Sequence, residues 1–331
     1  MPALASIRHH SYRPQYPKRG LRTRVGPSLP TLVPFAVLLC LGGCVHRTAV
    51  TADPSGHEAQ TPATPTVLPL PEPCPLSTED YPWPRSEGSY SPLALRIAPP
   101  EGLTRVETPE GSWGQWLRYL PLRTAGTPVR SREGSVIVPG DDIHLGAVID
   151  MDVYRHQECA DTIVRLRAEY LRHADRPDEI AFKCGGAQTH SWARWRQGYR
   201  PREAGNGLSF SRVGEPDGSR KSFEGYLASV FAWCGTYHLA TEGQTVAADE
   251  VAVGDFLASG GSPGHAVLLV DLARDGAGRT CALIAQGYMP AQTAHVMSPG
   301  GDDPWFRLDD SAPIDTPFWG AFDWSHLRRF D

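Results

Sequence analysis

Three apolar runs lie close together near the end of the chain, Val253 to Ala258, His265 to Leu272 and Thr280 to Gln286, and two turn signals, SGGSPG and RDGAG, separate them. Runs of this length between Gly/Pro/Asp punctuation read as strands, and the Asp-Gly turn joins the last two as an antiparallel hairpin. A chain carrying this segment must build a sheet. What precedes it reads mainly as helix. His156 to His173 puts Cys159, Ile163, Leu166 and Tyr170 on one face and Arg165, Arg167 and Arg172 on the other, the spacing of an amphipathic helix. Ser222 to Trp233 is a second amphipathic helix, and Ser191 to Gln197 a short one bearing tryptophans. Strands are predicted at VIVPGD, LGAVIDMDV and Glu179 to Cys184. Helices first and an antiparallel sheet after predict an α+β fold, with the sheet packed against the N-terminal helices.

The N-terminal end has a different character. Residues 1–43 hold six Lys/Arg and no acid, and include the apolar stretch Thr31 to Leu41, which is too short to span a bilayer. Basic flank, apolar core and the string LGGC then follow in order. This resembles the lipobox of bacterial lipoproteins, in which the signal is removed and Cys44 becomes the lipidated first residue. The resemblance implies a protein of the bacterial cell envelope, held on a membrane by its lipid. Residues 44–90, rich in Pro, Thr and Ala, read as the lipidated cysteine and an extended tether. Residues 91–331 are long enough for a single globular domain with its own core.

Loss of residues 1–43 leaves 26 Lys/Arg against 37 Asp/Glu, a net charge of −11. With no basic run after the signal, nucleic acid is an unfavourable partner. Beyond Cys40 and Cys44 the cysteines are Cys74, Cys159, Cys184, Cys234 and Cys281, an odd number with no CxxC pair, so neither a disulfide framework nor a zinc knuckle is expected and at least one thiol stays free. HExxH and HxH spacings are also absent, and neither a metal nor another cofactor is expected.

The candidate chemistry lies in an order of residues: Cys159 in the first turn of a helix, Gly254-Asp255, His265 at a strand start, and Gln286 at the end of the next strand. Helix N-terminal dipoles favour a thiolate, imidazole titrates near neutrality, and a polar partner on the other ring nitrogen fixes the tautomer. The order resembles the NlpC/P60 and related papain-like cysteine hydrolases. That resemblance implies a papain-like arrangement in which Cys159 attacks, His265 shuttles the proton and Gln286 orients the ring. The helix directly before Gly254-Asp255, however, starts at Lys221-Ser222-Phe223; if it fills the nucleophile's place, Ser222 stands where cysteine should and the module is inactive. Asp271 is a second, lower-ranked support for His265. Cys159 also fits an inert core thiol.

Trp192 and Trp195, with Tyr199, form a candidate aromatic shelf for sugar rings, core packing being the alternative. Arg167, with Arg165 and Glu169, reads as an exposed ion-pair group, or as a clamp for a substrate carboxylate if buried near His265. The strings IAPPEGLTRV, WLRYLPLR, QECADTIVRLRAEYL, FEGYLASVFAWCGT, GSPGHAVLLVD, QGYMPAQ and DPWF resemble an uncharacterised family of bacterial envelope lipoproteins, domain of unknown function four-eight-four-six, which implies no activity. Two functions follow as expectations: a lipid-anchored cysteine amidase or endopeptidase acting on cell-wall peptide or another amide, or a non-catalytic lipoprotein binding wall glycan, peptide or an envelope protein.

Overall fold

The computed structural model describes residues 75–77, 80–83, 90–185, 189–205 and 207–331. The signal, Cys44, Cys74 and most of the tether lie outside the described residues. Among the described residues no helix is long and apolar enough to cross a membrane.

The fold is α+β and mostly antiparallel. Besides a single turn at Leu93–Arg96, the helices among the described residues are α1 (Trp113–Arg118), α2 (Cys159–His173), α3 (Trp192–Arg196), α4 (Arg220–Trp233) and α5 (Thr236–Glu242). The strands that frame the site are β1 (Leu145–Val148), β2 (Gln244–Thr245), β3 (Phe256–Ser259), β4 (His265–Arg274), β5 (Thr280–Gln286), β6 (His295–Met297), β7 (Ile314–Thr316), β8 (Gly320–Phe322) and β9 (Leu327–Arg329). The main sheet runs β2-β9-β3-β4-β5-β6-β1, with Thr104–Arg105 beside β4 and Phe306–Leu308 beside β5. β4 and β5 form the predicted hairpin through Asp275–Arg279, with a bulge between Leu269 and Asp271. The helices are interleaved with strands and do not form an N-terminal block: Leu93–Arg96 and α1 precede β1, and β1 closes the sheet's far edge against β6.

Both faces of β4 are covered, which is why its sequence is apolar throughout. Ala266, Leu268 and Val270 pack with α2 and α4 in one core. Val267 and Leu269 pack with Leu257, Ile284 and Phe322 in a second core on the other face. α2 is buried nearly all round, and this corrects the reading of its arginine face: Arg165 has no exposed surface. Its guanidinium bonds Asp152 and the Gln157 side chain (2.7 Å), and lies 3.5 Å from the Tyr154 ring centroid. Glu169, also fully buried, is met by Arg220 at 2.6 Å. Hydrophobic periodicity could not show this, since long cationic side chains enter a core only where tertiary partners await them.

Two other expectations are corrected. Tyr81 and Trp83, placed in the tether by their Pro-rich surroundings, are buried against Trp116; Tyr81 Oη donates to Trp116 O at 2.7 Å and Trp83 Nε1 to Asp150 O at 2.5 Å. The core therefore begins before residue 91. Cys184 and Cys234 form a disulfide across 50 residues. Such a loop stabilises by about 4 kcal/mol through the unfolded chain's entropy. Among the described residues Cys159 and Cys281 are free.

Candidate active site

The site forms where α2 begins and β4 begins. Asp161 accepts the Glu158 N–H at 2.9 Å and so closes the first turn of α2. Gly287, directly after β5, lets that turn come close: a Cβ there would stand 2.3 Å from Thr162 Oγ1 and 2.9 Å from the Glu158 carbonyl. A second close approach is at Gly254, with φ +96°, where a Cβ would strike the Trp113 indole at 2.3 Å. These contacts fix α1 and the N-terminus of α2 against the sheet.

Cys159 Sγ lies 3.7 Å from Thr236 Oγ1, and the backbone amides of Ala266 and Ala160 favour its thiolate electrostatically. The Ala266 amide is free to do this. Leu269 directs its N–H and C=O toward Asp255 and Gly254 beside β3, so strand alternation turns the Ala266 N–H toward β5. Pairing of β4 with β5 starts only at Leu268↔Ala285. Cys159 thus lies with Ala266 on the α2 side of β4, whereas the His265 ring alternates with Val267 and Leu269 to the other face, beside Trp319 and Phe322, and no hydrogen bond joins the thiol to the imidazole.

Gln286 Oε1 stands 2.7 Å from His265 Nε2, and the Gln286 amide nitrogen 3.2 Å from His295 Nε2. Gln286 is directly opposite His295 in the β5–β6 register. The His265 ring is flanked by Tyr288 and Trp319, with centroids at 4.8 and 5.1 Å. Trp319 belongs to the tip of the β7–β8 hairpin, whose Phe318 has φ +73° and accepts a hydrogen bond from Tyr288 Oη at 3.2 Å. Cys159, His265 and Gln286 are 4%, 2% and 1% exposed, so all three side chains are closed to solvent.

Burial pushes the Cys159 thiol up; the Thr236 hydroxyl and the two amides oppose this, and Asp161 adds to it. Whatever hydrates the sulfur removes the largest unfavourable effect and leaves the donors in place. Burial also pushes Asp161 up to about 8, and holds His265, His295 and His190 down at about 4. For His265, Gln286 partly offsets the burial and His295 reinforces it.

These shifts fix a pH dependence of stability. Unfolded imidazoles protonate near pH 6.5 while the three folded ones resist until about 4, so in that window the unfolded chain binds more protons. Their contribution is complete above pH 6.5 and is lost as pH falls toward 4. Asp161 acts oppositely, the folded state holding its proton from pH 3.8 to about 8. Glu158, also pushed up by burial, acts in the same direction as Asp161; the three imidazoles outweigh these two carboxyls, and urea titrations should show a midpoint that drops steadily from about pH 6.5 to about 4.5. An unchanged midpoint would contradict the buried neutral histidines.

The remaining candidates are placed elsewhere. Trp192 is 3% exposed, packed against Phe223 and Tyr226, and Trp195 carries the Arg200 guanidinium 3.7 Å from its ring centroid. Neither offers a free ring face to a sugar, because α3 docks onto α4. Arg167 sits among Trp113, Tyr170 and Phe330 beside a cavity of about 400 Å³, away from His265. Asp271 is held by Arg105 and Arg118 at 2.6 and 2.7 Å and does not support His265. Ser219 caps α4 by accepting the Ser222 N–H at 3.2 Å, so Ser222 lies within a helix that packs on α2 and α3, and it is α2 that packs on β4. The sequence reading missed Thr236, Tyr288 and His295. His295 had a signal in the sequence, a histidine in the next apolar string after Gln286, but only the register shows that the two face each other. Among the described residues no cluster of His, Cys, Asp and Glu could hold a metal ion.

The family model described as Domain of unknown function (4846) matches residues 93–329. No curated protein and no solved structure matches the chain.

Proposed function

The chain belongs to the Domain of unknown function (4846) family, and on that premise we propose that it is a lipid-anchored envelope protein whose globular part is a papain-like cysteine hydrolase. Its substrate is an amide, with cell-wall peptide the reading that suits an envelope location. One observation supports this: Gln286 Oε1 lies 2.7 Å from Nε2 of His265, at the start of the strand on which α2, with Cys159 in its first turn, packs.

With Nε2 of His265 occupied by Gln286, Nδ1 is the nitrogen left for the thiol, and the reading requires the two side chains to meet when substrate binds. The S–H proton passes to Nδ1 as the sulfur lone pair attacks the carbonyl carbon. Collapse breaks the C–N bond, and the amine leaves with the proton from Nδ1. Water then attacks the thioester, giving its proton to Nδ1 and releasing the carboxylic acid; that proton returns to sulfur. The resting pair is neutral, since burial raises the thiol and lowers the imidazole. Proton transfer therefore accompanies attack and does not precede it.

The test is to incubate the full chain with peptidoglycan fragments and a panel of peptide amides, and separately with a peptidyl chloromethyl ketone. Released amine, and alkylation of Cys159 ahead of the free Cys281, are expected. No product and no preference between the two thiols would overturn the reading. The second reading, a non-catalytic lipoprotein that binds wall glycan, peptide or a protein partner, is favoured by one observation, the 4% exposure of Cys159.

A further inference from the structure

We propose that His295 is a positioning residue: acting through Gln286, it sets which ring nitrogen of His265 carries the proton. The inference rests on the cysteine-hydrolase reading above. A glutamine beside a histidine does not by itself select a tautomer, because its oxygen accepts from an N–H and its nitrogen donates to a bare ring nitrogen. Something must decide which way round the Gln286 amide lies.

The decision begins at the backbone. His295 Nδ1 lies 3.2 Å from the Thr293 carbonyl oxygen, and a carbonyl can only accept, so Nδ1 carries a hydrogen. His295 has no exposed surface, and its ring is neutral at neutral pH because burial opposes the cation. Its Nε2 is therefore a bare acceptor. Gln286 meets that nitrogen at 3.2 Å and must present its amide nitrogen there. The amide oxygen is then left for His265 Nε2, at 2.7 Å, and this nitrogen must carry the hydrogen. His265 Nδ1 is consequently bare, the form that accepts a proton from a thiol. Turning the Gln286 amide over sets its oxygen against the lone pair of His295 Nε2. Switching the His295 tautomer instead sets a bare Nδ1 against the Thr293 carbonyl. In either case two acceptors meet in a buried site with no donor between them.

The chain from Thr293 O through His295 and Gln286 to His265 is thus a relay of fixed polarity, built across β5 and β6 by their register. His295 touches neither the thiol nor the reacting carbonyl in this scheme. It acts only by holding the amide that holds the base.

The experiment reads the tautomer directly. The full chain labelled with nitrogen-15 in its histidines is examined by long-range nitrogen–proton NMR at pH 7.5, as wild type, His295→Leu and His295→Asn. Wild type should show His265 protonated on Nε2. His295→Leu removes the acceptor, and should give a mixture of His265 tautomers with hydrolysis at least about tenfold slower, a wrong tautomer in a catalytic histidine costing up to about 10⁴-fold. Asparagine, whose side-chain oxygen can accept from Gln286, should restore the single tautomer and most of the rate. Nδ1 protonation of His265 in wild type, or an unchanged tautomer in folded His295→Leu, overturns the proposal. If the leucine variant does not fold, wild type and His295→Asn still decide. The Nε2 tautomer in a wild type without turnover sinks the hydrolase reading and the positioning role with it, whereas turnover with the wrong tautomer sinks the relay alone.

Discussion

Cys159→Ala is expected to lower amide hydrolysis by on the order of 10⁴-fold or more while leaving the fold intact. The two halves of that expectation have separate grounds. The sulfur is the nucleophile in the proposed reaction, and alanine has nothing with which to form the thioester. Cysteine and alanine are otherwise close in shape, and position 159 lies in the first turn of a helix held by Asp161, Gly287 and the packing of Ile163, Val164 and Leu166. Loss of one sulfur atom from that core costs about 1 kcal/mol. Product release by the variant and wild type, measured with thermal unfolding on the same samples, checks both halves. Equal turnover by the two proteins would remove Cys159 from the chemistry. An unfolded alanine variant would make the thiol structural, and Cys159→Ser, which retains a polar atom opposite Thr236, would then be compared for folding and for rate.

Asp271→Ala should destabilise the fold by about 3–5 kcal/mol, the cost of stripping the partner from a buried charge. Asp271 has no exposed surface, and its two oxygens meet Arg105 Nε and Arg118 Nε. Oδ1 also accepts the Leu272 N–H at 2.9 Å. The carboxylate sits just beyond the bulge of β4, and it ties α1 and the Thr104–Arg105 strand to the sheet. Its removal leaves the Arg118 guanidinium, only 9% exposed, with neutral partners at Thr108 and Val106 alone. Urea unfolding measures the loss. A change below about 1 kcal/mol would mean that the two arginines reach water more easily than their packing indicates. Asp271 thus supports the scaffold, six residues along β4 from His265.

Much of the sheet was legible because its signals are local. The Asp-Gly turn, the apolar runs and the glycine-rich loop before His265 specify β3, β4 and β5 with boundaries displaced by a few residues. The bond between His265 and Gln286 was legible for the same reason, since a short hairpin brings its two ends together. The Cys184–Cys234 pairing was not, because two cysteines 50 residues apart carry no mark of each other. The same holds for Thr236, which reaches the thiol from α5, two residues after the disulfide-bonded Cys234.

The tryptophans show the opposite failure. WARWRQGY fits a sugar shelf and fits a core helix equally, for side-chain spacing states which residues share a face and not what that face meets. Arg165 repeats the lesson in charge: the residue type points to solvent, and only Asp152, Gln157, Glu169 and Tyr154 make its burial tolerable.

By itself, then, the sequence determined an antiparallel α+β domain and the three residue types available for thiol chemistry, since propensity, turn chemistry and apolar runs act over a few neighbours in the chain. Only the tertiary structure decided that α2 rather than α4 presents its first turn to β4, that His295 stands behind Gln286, and that the thiol is shut away from water. Those outcomes depend on strand register and on burial, which arise from contacts between segments distant in the chain.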